Sequence, residues 1–359
     1  MRGYVSGTDW LNAEPMKYWS YPSGYDQKSK KSKTREMILS GDYIGSLKVD
    51  GFYQRVIKDE DGEIFMVSRS KGVTGLPTNK VDWVPHLHGW MNSLPNGTVL
   101  ICECYLPQHE SSKNVTAILG CDLPKALERQ ESEKLHLYVF DVAALCGVRL
   151  ADEQYQTRTA TVDCLAKQFP SPFVEYATFY RSEQLLDQLD KYLSEGREGM
   201  VITRCDASMC EGRTSARVSV KIKRELQQTV DCVIIGTNPP EVNYTGDHLE
   251  SWQYFCSTNM RRLPEGYHPR PAIPVTRSFY KRLAGSLQLG LYDKDGDLVH
   301  FGDLSGLSDE NLTEESIGKV CEVSGMEIDS VSGHIRHPRF VQWRTDKAPE
   351  ECTLDQVKA

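Results

Sequence analysis

Lys48-Val49-Asp50-Gly51 places an amine and a carboxylate two residues apart, hence on one face of an extended segment, with a glycine directly behind them. A lysine is a poor nucleophile while protonated, but neighbouring cations and partial desolvation lower its pKa and free the lone pair for attack on phosphorus. Alone the tetrapeptide is weak, since a solvated strand-end lysine explains it equally well. Its weight comes from the ordered charges downstream: Glu103 within Val99-Leu-Ile-Cys-Glu-Cys-Tyr105, Asp141 behind Leu137-Tyr-Val-Phe140, Glu198 ahead of Gly-Met-Val-Ile202, and Lys221 and Lys223 alternating in Ser219-Val-Lys-Ile-Lys-Arg224. Each is a charge in an apolar run, and such charges need a reason. Singly, an edge strand facing water supplies one. Jointly, these lysines and carboxylates on neighbouring strands are what a triphosphate and a divalent cation require, ammonium groups for phosphate oxygens and carboxylates for Mg²⁺.

The elements that must position these groups read as strands. From Tyr43 to Val67 and again from Val99 to Tyr105, β-branched and aromatic residues alternate with polar ones around the turns Asp61-Gly62 and Asn96-Gly97. Residues 182 to 196 read instead as a helix capped by Ser182, with Leu185, Leu186, Leu189, Tyr192 and Leu193 on one face and Gly196 ending it; a strand, Gly199 to Thr203, comes next. Texture changes near residues 231 to 237, which sets a boundary between domains 1–232 and 233–359. Beyond it, short strands (Ser286 to Tyr292, Leu298 to Phe301, Lys319 to Gly325, Phe340 to Arg344) predict a small β-barrel of OB type. The expected fold is α+β, an antiparallel-sheet domain followed by that barrel. Neither G-x-x-x-x-G-K-[ST] nor G-x-G-x-x-G occurs, so phosphate must be held by side chains rather than a glycine loop.

At 359 residues, 39% hydrophobic and 26% charged, the chain has the composition of an ordinary globular protein, and no apolar run approaches a membrane span. Eleven cysteines, an odd number without C-x2-C repetition, read as reduced, buried thiols of a cytoplasmic protein rather than as disulfides or a zinc site. The net charge of −8 means that any nucleic acid must be held by local patches. Two are visible. Lys28, Lys30, Lys31, Lys33 and Arg35 form an acid-free strip, and within an insertion at about 244–282 stand Arg261, Arg262, Arg270, Arg277, Lys281 and Arg282, with Glu265 the lone acid between 256 and 285. Tyr267, Phe279 and Tyr280 interleave with the second patch, as backbone-tracking surfaces often do.

The ordered set resembles the covalent nucleotidyltransferase superfamily, specifically ATP-dependent polynucleotide ligases of the small phage type, over most of the chain. Lys48-Val-Asp-Gly51 corresponds to the nucleophile motif, followed by Ser68-Arg69, Glu103, Phe140-Asp141, Glu198-Gly-Met-Val-Ile202 and Lys221-Ile-Lys223. The segment Arg336-His-Pro-Arg-Phe-Val-Gln-Trp-Arg-Thr-Asp-Lys347 is similar to the motif that closes the OB domain of DNA ligases. The resemblance implies a nucleotidyltransferase domain plus OB domain, ATP and Mg²⁺, and nicked duplex DNA sealed through a lysyl-AMP intermediate by a monomer. It implies that Lys48 is the nucleophile with Asp50 beside it, and that Ser46, Leu47, Arg69, Glu103 and Phe140 line the nucleotide site. It further implies that Glu198 and Glu103 hold the metal, Lys221 and Lys223 the α-phosphate, and that Arg344, Asp346 and Lys347 close over the departing pyrophosphate.

Four departures matter, one of them the spacing after Arg69, where Lys71-Gly72 comes one residue later than in such ligases. The arginine such ligases place five residues after the nucleophile is Tyr53 here, with Arg55, on the same strand face, the candidate substitute. Ser46 stands where an acid commonly reads the adenine amino group, which keeps GTP and a capping-type guanylyltransferase open. Gln342 replaces a usual arginine. RNA ligation and a non-enzymatic OB-type binder are the remaining alternatives.

Overall fold

The computed structural model describes residues 7–20, 33–71, 77–108, 112–212, 218–223, 229–246, 249–267, 269–325, 327–329 and 332–357. The chain divides into two units, Met1–Arg224 and Glu225–Ala359. The boundary expected between residues 232 and 233 is therefore displaced. The apolar run around it does not close the first unit; it is a strand of the second, bonded along both edges.

The first unit opens with α1 (Gly7–Asn12), β1 (Trp19–Ser20), α2 (Lys33–Leu39), β2 (Tyr43–Leu47), β3 (Phe52–Lys58), β4 (Ile64–Lys71) and β5 (Pro77–Asn79). It continues through α3 (His88–Ser93), β6 (Thr98–Tyr105), α4 (Ser112–Leu119), α5 (Leu123–Arg129), β7 (His136–Leu145), β8 (Val148–Arg149) and α6 (Tyr155–Gln168). It ends in β9 (Val174–Tyr176), β10 (Tyr180–Arg181), α7 (Ser182–Ser194), β11 (Gly199–Arg204) and β12 (Ser219–Lys223). One sheet has the order β5-β4-β3-β6-β7-β8 with β9 beside β7, and the other β1-β12-β11-β2-β10. Pairing is antiparallel except between β1 and β12 and between β7 and β9.

The β6 strand shows why its sequence is nearly all apolar. Leu100, Cys102 and Cys104 enter the largest core with Val56, Met66, Leu137 and Val139, while Val99 and Ile101 enter a second cluster with Tyr53, Ile57 and Ala143. Both faces are buried, and Glu103 continues the row of Val99 and Ile101 by the two-residue period. Each fully buried aliphatic side chain here contributes roughly 1.5–3 kcal/mol. Helix α7 covers the other sheet with Leu185, Leu186 and Leu189, and Gly196, at φ +77°, ends that segment. Ser182 does not cap this helix: it is the first helical residue, after Arg181, and no side chain caps the end.

The second unit contains β13 (Val230–Asn238), β14 (Phe255–Cys256), β15 (Ile273–Pro274), α8 (Arg277–Lys281), β16 (Ser286–Tyr292), β17 (Leu298–Leu304), β18 (Val320–Ser324), β19 (Glu327–Ile328), β20 (Ile335–Arg336) and β21 (Arg339–Trp343). Five of these form an antiparallel sheet in the order β17-β16-β13-β18-β21, curled around Cys232, Ile234, Leu289, Phe301 and Val323. The insertion between β13 and β16 carries β14, β15 and α8, and is tied by stacked Tyr244 and Trp252 rings, 3.6 Å apart. All eleven cysteines are free thiols. Six of them are buried as expected, but Cys146 and Cys164 are exposed. Among the described residues no helix is long and apolar enough to cross a membrane.

Candidate active site

Antiparallel pairing of β2 with β11 sets the first contact. Leu47 lies opposite Met200 and Ser46 opposite Val201, and the Lys48 N–H extends the ladder by donating to the Gly199 carbonyl at 2.9 Å. Lys48, one residue past its strand, thereby meets Glu198, one residue before its own. Their side chains form an ion pair with Nζ to Oε2 at 2.6 Å, the carboxylate being almost wholly buried. Gly51 is required next: a Cβ there would stand 2.3 Å from the Cys104 carbonyl oxygen and 2.8 Å from Glu103 Cγ. Only glycine lets the turn after Lys48 press against β6.

Around Lys48 opens a cleft of about 600 Å³, its solvent-filled mouth included. Leu47, Val49, Val201, Phe140, Tyr138, Tyr155 and Tyr18 give it an apolar, aromatic wall, and Ser46, Arg69, Glu103 and Lys221 are its polar groups. Tyr138 and Phe140 alternate on β7 and so share the cleft face. That period was available in Leu137-Tyr-Val-Phe140 and identifies Tyr138. Tyr18 and Tyr155, by contrast, arrive from distant segments that carry no motif. Tyr155 hydrogen-bonds to the Ser46 side chain, and burial pushes the Tyr155 and Tyr18 hydroxyls well above the usual phenol range.

Glu103 pairs with Tyr53 across β6 and β3. Burial raises its pKa to about 7, opposed by Lys48 and Arg69 and reinforced by Glu198 and Asp50. The carboxylates thus converge on Lys48, but Glu103 changes charge near neutrality. Arg69 lies over the Tyr53 ring, 4.8 Å from its centroid. The cation at this wall of the cleft is therefore Arg69, stacked on the residue that replaces the usual arginine.

Arg55 does not take that place. It shares the face of Tyr53, as the two-residue period demands, but residues 11–13 cover it: Nη1 donates to the Ala13 carbonyl at 2.6 Å and Nη2 to that of Leu11 at 3.4 Å. Its buried Nε has no hydrogen-bond partner among the described residues, and Arg55 lines a separate cavity with Trp10 and Met209. Asp141 is likewise not a cleft ligand. Arg158 grips it through Nε at 2.8 Å and Nη2 at 3.1 Å, a buried bidentate pair joining β7 to α6.

Lys221 lies opposite Val201 on β12, with its ammonium 6.0 Å from the centroid of Tyr18. Lys223 comes two residues on, hence on the same strand face, and its side chain lies outside the described set, as does that of Lys33. Lys28, Lys30 and Lys31 lie outside the described residues altogether, and Arg35 is half-exposed on α2. Among the described residues no three metal-ligating side chains cluster. Glu103 and Glu198 still fit Mg²⁺, an ion that keeps several waters and commonly takes only one or two protein carboxylates beside substrate phosphates.

In the second unit, Arg344, Asp346 and Lys347 are brought together. Arg344 donates through Nε and Nη2 to Asp346, each at 3.0 Å, and through Nη1 to Asp231; Lys347 Nζ meets Asp231 at 2.6 Å. Gln342 donates to Glu322 at 2.7 Å. In the insertion Arg261, Arg262, Arg270 and Arg282 are exposed. Arg277 and Lys281 both pair with Asp309, at 2.8 and 3.0 Å, an acid beyond the 256–285 stretch whose charges balance so strongly positive.

The solved structure of a Lig E DNA ligase overlays on 92% of this chain and 99% of that one, with a TM-score of 0.58 at 14% identity, so the fold is that of such ligases, a nucleotidyltransferase domain with an OB domain. The DNA ligase of Saccharolobus solfataricus is 21% identical over 342 residues, 88% of this chain and 54% of that protein. DNA ligase C1 of Mycolicibacterium smegmatis is 27% identical over 238 residues, 63% of each. The chain thus spans between about half and two thirds of the length of these relatives. Residues 27–223, more than half of the chain and including every group that lines the cleft except Tyr18, match the ATP-dependent DNA ligase domain, and the chain belongs to that family.

Proposed function

We propose that this protein is an ATP-dependent DNA ligase that seals 5′-phosphate/3′-hydroxyl nicks in duplex DNA. The observation that carries the reading is Lys48 paired with Glu198 at 2.6 Å, inside an aromatic cleft that also presents Arg69, Glu103 and Lys221. Phe140 and the tyrosines stack on the base, and Arg69, Lys221 and Lys223 take phosphate or ribose oxygens. Lys48, deprotonated, attacks the α-phosphorus of ATP: an N–P bond forms, the P–O bond to pyrophosphate breaks, and the lysyl-AMP adduct remains. Glu198 and Glu103 would hold Mg²⁺, which neutralises charge developing on phosphate oxygens. Arg344, Asp346 and Lys347 of the OB domain assist the departure of pyrophosphate. AMP then passes to a 5′-phosphate, and the 3′-hydroxyl displaces it as the new phosphodiester forms.

The duplex is gripped by the exposed arginines of the insertion and by the strip from Lys28 to Arg35. The eleven free thiols support a reducing, cytoplasmic setting, and the enzyme acts as a monomer. Labelled ATP or GTP incubated with the protein, followed by nicked duplexes with DNA or RNA on either side, tests the whole reading. Adduct from ATP and sealing of all-DNA nicks are expected. Adduct from GTP without sealing would make it a capping-type guanylyltransferase, sealing only of RNA an RNA ligase, and no adduct with either nucleotide a non-enzymatic binder.

A further inference from the structure

Two cations of the C-terminal motif, Arg344 and Lys347, share a carboxylate that lies far outside that motif. Asp231 is the second residue of β13, just after the junction of the two units, and is 8% exposed. Its own backbone is clamped: the N–H donates to Gln356 Oε1 at 3.1 Å, and the carbonyl accepts from Gln356 Nε2 at 3.3 Å. Arg344 Nη1 donates to Asp231 Oδ1 at 3.0 Å and Oδ2 at 3.1 Å, and Lys347 Nζ donates to Oδ2 at 2.6 Å. An ammonium carries three donors and Asp231 takes one, so Lys347 is aimed while retaining hydrogen-bonding capacity. Arg344 spends its Nε edge on Asp346, which is exposed and free to yield to another anion.

A buried carboxylate cannot release both cations together without being left unpaired, which is strongly unfavourable. The cations therefore stay tethered to Asp231 when an anion arrives, and meet it with the donors Asp231 does not use. Fixing a long, rotamer-rich side chain beforehand removes entropy that binding would otherwise have to supply. We propose that Asp231 is a positioning residue for the first chemical step, holding Arg344 and Lys347 so that their remaining N–H groups receive the departing pyrophosphate. This rests on the reading that Arg344 and Lys347 serve pyrophosphate departure.

The test compares Asp231→Asn, Lys347→Ala, their double variant and Asp231→Glu in the full chain. Single-turnover formation of the Lys48 adduct is measured beside sealing of a nick whose 5′ end already carries AMP. Asp231→Asn is expected to slow adduct formation at least tenfold, roughly what loss of about 1.4 kcal/mol of positioning produces, and to leave sealing within about twofold. Asp231→Glu should recover part of the lost rate, and the double variant should be no slower than Lys347→Ala, because the two residues act as one unit. Equal loss in both assays, or losses that multiply in the double variant, would show a structural ion pair and overturn the inference. Slow adduct formation in Lys347→Ala with a normal rate in Asp231→Asn overturns the role of Asp231 alone; normal rates in both overturn the pyrophosphate reading beneath it. Should Asp231→Asn fail to fold, Gln356→Ala loosens the clamp without removing charge. The same selective slowing is expected there, and an unchanged rate refutes the proposal.

Discussion

The Lys48 cleft and the Arg344 cluster both gather lysine, arginine and carboxylates, yet their charges obey different forces. In the cleft burial dominates: Glu103 is driven up to about 7 even though Lys48 and Arg69 pull the other way. In the C-terminal cluster hydrogen bonding dominates, so Asp346 is pushed down by Arg344 and Arg344 is pushed up by Asp346. The first site contains an acid able to change charge near neutral pH, beside the lysine proposed as the nucleophile. In the second, mutual hydrogen bonds hold the Arg344–Asp346 pair ionised. Dryness tunes proton chemistry, and dense pairing fixes charge.

The largest break in this comparison is Lys48→Ala, which removes the proposed nucleophile and should abolish adduct formation with labelled ATP, as read by digestion and peptide mapping. Labelling at the normal level would place the nucleophile elsewhere. Next comes Asp141→Ala, which strands Arg158 in the core and should cost about 3–5 kcal/mol of stability by urea unfolding. Asp141 is the control for Asp231: both are buried and arginine-bound, but Asp141 anchors β7 to α6 and its loss should weaken adduct formation and sealing alike. A cost under about 1 kcal/mol would mean the pair is no anchor.

A smaller effect sharpens the electrostatic contrast. The folded pKa of Glu103 lies above its unfolded value of 4.5, so the folded state binds the proton more tightly. Its ionisation therefore costs no stability below pH 4.5, an increasing amount as pH rises from there through 7, and a constant amount above. Glu103→Gln lacks that penalty. Its stability relative to the parent should improve between pH 4.5 and 8 by about 1–3 kcal/mol, at 1.4 kcal/mol per pKa unit and allowing for solvent screening. Matched denaturant titrations at pH 5 and 8 decide it, and a pH-independent difference would deny the shift.

What can be read from the sequence divides along the same lines. Lys48, Glu103, Phe140 and Glu198 are legible because each lies in or beside a strand whose own period fixes its face. The strand from Ser286 to Tyr292 is legible to the residue, since its alternation and flanking turns are local. For Arg55 the alternation yields the correct face and the wrong partner, because the covering carbonyls of Leu11 and Ala13 come from more than forty residues away. Asp231 looks like the edge of a domain because an apolar run says nothing about which sheet receives it. Its partners, Arg344 and Lys347, lie over a hundred residues downstream. Local period carries faces, and long-range pairing carries partners.

The weakest effect concerns the insertion, where the structure redraws a patch read from sequence. All six cations are exposed, but Arg277 and Lys281 pair with Asp309, while Arg262 donates to the Phe279 carbonyl and Arg261, Arg270 and Arg282 are not among the partners of Asp309. Each phosphate contact releases condensed counterion, worth about 0.9 in the slope of log affinity against log salt. Replacing Arg261, Arg262, Arg270 and Arg282 by Gln should flatten the slope for nicked duplex by up to that amount per arginine that touches phosphate, and leave Lys48 adduct formation unchanged. Replacing Arg277 and Lys281 should barely move the slope and cost at most about 1 kcal/mol of stability, the range of exposed ion pairs. If the four-arginine variant keeps the parental slope, the insertion is a solvated appendage and the grip passes to Lys28, Lys30, Lys31, Lys33 and Arg35. If instead the Arg277 and Lys281 pair flattens the slope, Asp309 must release them to the backbone, and the charge balance read from sequence describes the bound state better than the free one.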